Sequence, residues 1–119
     1  MKTVEHVILE NLLYNEEYSR KVIPFLKGEY FHDKKNKILF EVVGKFIMKY
    51  NNLPTKEAII IDLDKNKNIT EEEYKDVSNL LSDIEKKETL PDFNWLLTET
   101  EQFCKDKAVY NAIMESIHI

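Results

Sequence analysis

The stretch from Phe93 to Ile119 constrains this chain more than any other. It reads FNWLLTETEQFCKDKAVYNAIMESIHI and holds neither Pro nor Gly. Asp92 stands before it as an N-cap candidate, and Pro91 stops whatever precedes. Some 25 helical residues would run about 38 Å at 1.5 Å per residue, long for a domain of this size. Leu96, Phe103, Tyr110, Met114 and Ile117 fall on one side of such a helix, and Leu97, Cys104, Ala108 and Ala112 form a second side of smaller residues. A helix apolar on two faces needs two neighbours. One is the core of its own domain. The other is expected to be a second subunit or a further segment of chain. The simpler alternative is a plain core helix.

The rest of the chain also reads as helices. Val4, Val7, Ile8 and Leu12 recur at helical spacing over residues 4–13, with Thr3 as cap, and this helix should end near Tyr14. Asn15 then caps a second helix whose core side is Tyr18, Val22 and Ile23 and which Pro24 ends or kinks. Phe25, Leu26, Tyr30 and Phe31 read as core plugs on a connector around Gly28. Asp33 to Tyr50 carries a wide apolar stripe of Ile38, Leu39, Val42, Val43, Phe46, Ile47 and Tyr50. The cluster Asn51-Asn52-Leu53-Pro54 is a turn, after which Pro54 or Thr55 opens a short helix through Ala58, Ile59 and Leu63. Ile59, Ile60 and Ile61 are β-branched, yet no second strand is available to pair with them. Thr70-Glu71-Glu72-Glu73 is a capping-box sequence heading a helix expected over Thr70 to Lys86, with Tyr74, Val77, Leu80, Leu81 and Ile84 on its apolar face. The expected fold is all-α: about six helices, with a helical globule over residues 1–90 and a long terminal helix over 91–119 acting as an oligomerisation arm.

Composition excludes several functions. Two Gly and three Pro are too few for a many-turned β domain, and two glycines cannot build a glycine-rich phosphate loop. With 43% hydrophobic and 33% charged residues the chain should form a charge-coated globule, and a net charge of −5 leaves room only for a local basic patch. The single Cys104 rules out an intrachain disulfide and has no adjacent His to activate it. The N-terminus has charges inside its apolar run and no small-residue cleavage site, unlike a signal peptide, and no apolar run approaches a membrane span. A cytoplasmic protein without cofactor, catalytic site or metal site is expected.

Three weaker constellations stand beside that reading. Asp62, Asp64, Asn66, Thr70 and Glu73 place oxygens as in a twelve-residue calcium loop, with Asp62, Asp64, Asn66 and Glu73 as the principal ligands, but Lys67 occupies the position where the sharp turn wants Gly. Lys34, Lys35 and Lys37 could touch phosphate, which makes a single-strand-binding accessory protein an alternative, although a solvated helix start explains them more simply. Trp95 and Phe103 could stack on bases, and packing is the plainer account of both. His6, His32 and His118 lack ligand spacing.

The order of these features resembles a known family. The opening EHVILENLLYNEEYSRKVIPFLKGEYF, the helix KNKILFEVVGKFIMKYNNLPT and the segment WLLTETEQFCKDKAVYNAI are together similar to the N-terminal domain of replicative hexameric helicases of the DnaB family, in particular those of T-even-like bacteriophages. The likeness covers nearly the whole chain. It implies a compact helical globule followed by a helical hairpin, whose first arm is the terminal helix here. It further implies pairing of subunits into dimers, collar assembly on a hexamer, and docking of primase, with single-stranded DNA passing near the collar. The ATPase motor of such proteins lies in a separate domain, so this chain is expected to be a non-catalytic fragment of a larger helicase, with its second hairpin arm missing or shortened. The expected subunit contact uses Phe103, Val109, Tyr110, Ile113 and Ile117.

Overall fold

Each helix begins where a short polar side chain can satisfy a free backbone N–H. The computed structural model describes residues 3–117. Thr3 accepts from the His6 amide to start α1 (Val4–Tyr14), and Asn15 accepts from the Tyr18 amide to start α2 (Glu16–Val22). Asp33 caps α3 (Lys34–Tyr50), Thr55 caps α4 (Lys56–Lys65), and Thr70 caps α5 (Glu71–Asp83). The Asp92 carboxylate accepts from the Trp95 amide at 2.9 Å, opening α6 (Phe93–Ile117). These bonds fill orphan donors that a helix start leaves open. At Thr70 the capping box is complete, the Glu73 carboxylate accepting from the Thr70 amide at 2.9 Å and the Thr70 hydroxyl from the Glu73 amide at 3.0 Å. Asn51, at φ 55°, ends α3 in the left-handed region.

Six α-helices and one 3-10 turn (Gly28–Tyr30) carry the fold, with no strand among the described residues, so the all-α expectation holds and Ile59 to Ile61 are helical. α3 is the central element, packed against α1, α4, α5 and the 3-10 turn, while α6 crosses α1, α2 and that turn. Leu39, Val43, Ile59, Leu63, Val77, Ile84 and Leu96 are among the buried side chains at its centre. The core runs across the 90/91 division expected from the sequence, because Leu96, Thr100 and Phe103 on α6 are buried with the rest.

Local expectations are corrected in places. α5 stops at Asp83 rather than Lys86, because the Ile84 amide turns back onto Leu80 and Leu81 and its side chain enters the core. Leu26, Tyr30 and Phe31 plug the core as expected, but Phe25 is 67% exposed. Tyr50 is exposed at the end of the α3 stripe, and Phe40, outside that stripe, is buried and stacks on Phe31 at 4.9 Å.

Candidate interaction surface on the terminal helix

α6 is held to the globule along its first half by three kinds of contact. Apolar anchors come first: Leu96 and Phe103 are buried, and the Phe103 ring packs against Phe31 at 5.5 Å. A buried hydroxyl chain comes second. Thr100 Oγ1 donates to the Leu96 carbonyl at 2.8 Å, which leaves it to accept from Tyr18 Oη at 2.6 Å. Burial pushes the Tyr18 phenol well above the ordinary tyrosine range, so it stays a neutral donor. Tethers to the 3-10 region come third. Asn111 donates to the Glu29 carbonyl at 3.1 Å, and His32 meets the Tyr110 ring edge-on at 5.0 Å.

Beyond Asn111 the helix leaves the globule while its apolar pattern continues. Val109 is 60%, Ile113 55% and Ile117 67% exposed, and Tyr110 and Met114 are also exposed. Val109, Ile113 and Ile117 lie at four-residue steps, and Tyr110 and Met114 form the adjoining row. The result is a band of five apolar side chains over about 12 Å of helix. Four of the five residues expected at a subunit contact therefore lie on one exposed side of α6, with Tyr110 also meeting His32. The fifth, Phe103, is 7% exposed and belongs to the chain's own core. Met114 joins the band, and its place on the Tyr110 stripe is the sequence signal that marks it.

The other constellations are dispersed. Asp62 and Asp64 lie inside α4, Asn66 accepts from the Asn68 amide, and the Glu73 carboxylate serves the capping box, so these oxygens do not surround a point as a calcium loop requires. The amide of Thr70 and then Lys34 hold the Glu73 carboxyl below the usual range. Lys34 and Lys35 sit in the first turn of α3, and they pair with Glu73 at 3.6 Å and Asp33 at 2.8 Å. Burial, then Glu101, pushes the Cys104 thiol upward, which leaves it a weak nucleophile. His6 binds Glu10 at 3.1 Å on α1. Trp95 is half exposed beside the segment leading into α6, and His118 lies outside the described residues.

A comparison with known proteins bears on the type of domain. The chain is 31% identical over 113 residues to a DnaB-like replicative helicase of Enterobacteria phage T4. That match takes in 95% of this chain and 23% of the helicase, so the chain spans about a quarter of the relative's length. The chain thus matches the N-terminal region of that helicase, as the resemblance in its motifs implies. No family model matches the chain. Among the described residues no helix is long and apolar enough to cross a membrane.

Proposed function

We propose that this chain is the non-catalytic collar region of a phage replicative helicase, which joins sister subunits and presents a docking surface to primase. The observation that carries the reading is the band Val109, Tyr110, Ile113, Met114 and Ile117, exposed on a helix whose first half is locked into the globule. Apolar side chains on a rigid helix offer a partner helix surface to bury at little cost in ordering. The similarity to the T4 helicase supports the replication context. In such an assembly ATP hydrolysis and strand separation belong to other parts of the protein. The collar's contribution is to hold primase at high effective concentration beside the fork.

The band is smaller than the 20–30 residues per side of a standard stable interface, so self-association of this chain alone should be weak and should grow over about 10 µM to about 500 µM. Light scattering over that range tests the assembly half of the proposal. Titration calorimetry with the primase encoded by the same phage tests the docking half. Heat that saturates at a defined stoichiometry is expected, and its absence would remove primase docking from this domain.

A further inference from the structure

The charge of this chain is unevenly placed. Residues 20–50 hold eight of its 17 basic residues and three of its 22 acidic ones, so this stretch is net +5 and the remainder net −10. Within it, Lys37, Glu41, Lys45 and Lys49 follow one another at four-residue steps along α3. Positions four apart share one ridge of a helix, so the four charges form a row about 18 Å long. Its order is basic, acidic, basic, basic. Among the described residues no ion pair takes up any of the four, although neighbours at this spacing could reach one another.

Apolar side chains stand beside this row. Met48, next to Lys49, is 80% exposed. Phe25 is exposed on the connector that passes the same side of α3. Ile23 lies 3.8 Å from where a Cβ on Gly44 would stand, and a Cβ on Gly28 would stand 3.4 Å from the Glu41 side chain, so Phe25 falls between two points of contact with the helix. Apolar contact flanked by a ridge of charges is the make-up of a helix-packing seam, in which the charges choose the partner. Glu41 decides what kind of partner that is. A phosphate chain carries one sign of charge at every step and would be repelled midway along the row. A facing helix repeats at the same step as α3 and can carry a different charge at each. A long polyanion would also meet the net −10 of the remaining chain, whereas a short segment confined to the ridge would not.

We infer that the ridge Lys37, Glu41, Lys45 and Lys49, with Met48 and Phe25 beside it, docks an amphipathic helix of a partner protein. That helix presents acidic side chains to the three lysines and one basic side chain to Glu41, along the edge of its apolar face. The ridge lies on a different helix from the α6 band, and its occupant does not depend on the assembly or the docking proposed above.

Fluorescence anisotropy of a labelled helical peptide of about 18 residues, some five turns, tests it. The peptide carries leucines on one face and, along their edge, glutamates to meet the lysines and one lysine to meet Glu41. It is made with this pattern in both chain directions. One of the two peptides should bind at low salt and weaken as salt is added. The pair Lys45→Glu and Lys49→Glu should weaken it about ten-fold or more while circular dichroism stays unchanged. Met48→Ala and Phe25→Ala should each weaken it as well. The decisive variant is Glu41→Lys. It should weaken the peptide about three-fold or more, and replacing the peptide's lysine with glutamate should restore the loss. Binding of neither peptide at low salt, or binding indifferent to the lysine variants, would overturn the site. Tighter binding of the original peptide by Glu41→Lys would show that the ridge reads net charge alone, and would overturn the facing helix. A 20-nucleotide oligothymidylate that binds more tightly than either peptide, and more tightly still to Glu41→Lys, would reassign the ridge to nucleic acid.

Discussion

Tyr18 on α2 donates its phenolic hydrogen to Thr100 on α6 at 2.6 Å, across 82 residues of chain and out of reach of water. Thr100 passes the bond on to the Leu96 carbonyl at 2.8 Å. This hydroxyl relay fixes the rotation of the terminal helix about its own axis. That rotation decides which side chains beyond Asn111 face outward.

The two ends of the relay should respond differently to mutation. Tyr18→Phe removes the outer donor but leaves Thr100 bonded to Leu96, and should cost about 1 kcal/mol. Thr100→Val strands a buried phenol without a partner, and should cost about 1–3 kcal/mol. Urea unfolding followed by circular dichroism measures both. A Thr100→Val variant as stable as Tyr18→Phe would contradict the direction of the relay.

Alkaline pH should act on the same residue. The Tyr18 phenol is raised above its unfolded value, so its contribution is fully present below about pH 10 and is lost as pH rises toward the folded value. Other groups titrate there too, so the informative quantity is the difference between the native chain and Tyr18→Phe. Above about pH 10 the native chain should lose stability more steeply than the variant. Parallel curves would mean that Tyr18 reaches water.

The capping box on α5 gives the opposite dependence. The Glu73 carboxyl is held low, chiefly by the Thr70 amide and then by Lys34, so its stabilisation is present above the ordinary glutamate range and fades as pH falls through the depressed value. Glu73→Gln should flatten the acid limb of the stability curve. Thr70→Ala should cost about 1 kcal/mol at neutral pH by freeing the Glu73 amide.

Phe103 and Ile113 separate core from surface on one helix. Phe103→Ala should cost about 3–5 kcal/mol, because it opens a cavity beside Phe31. Ile113→Asp, at an exposed site, should change monomer stability by no more than about 0.5 kcal/mol. A severe loss at Ile113 in dilute solution would show that the band packs on its own globule.

The same pair explains what was legible in the sequence. Capping residues, helix order and the all-α class follow from local chemistry: Thr3, Asn15, Thr55, Thr70 and Asp92 each act within three residues of themselves. The Leu96–Phe103–Tyr110–Ile117 stripe was equally legible, but not the point where it stops being core. Helical periodicity is the same whether the neighbour is one's own domain or another chain. Only the length of the globule, set by tertiary packing against Phe31 and Glu29, puts Phe103 inside and Ile113 outside. Phe25 departs from its expected place in the core, and Phe40 enters it, for a similar reason. Both are aromatic and near the connector, and the path of the 3-10 turn brings Phe40 to Phe31 while turning Phe25 outward. The buried hydroxyls of Ser19 and Thr100 left no sequence signal, since a polar residue on a helix ordinarily faces water.

The assembly role of α6 is tested most directly by solution mass. Light scattering should show the native chain rising above its monomer mass of 14.2 kDa with concentration, while the double variant Ile113→Asp, Ile117→Asp remains a folded monomer throughout. A native chain that stays monomeric at every concentration, or a double variant that associates as the native chain does, would contradict the account.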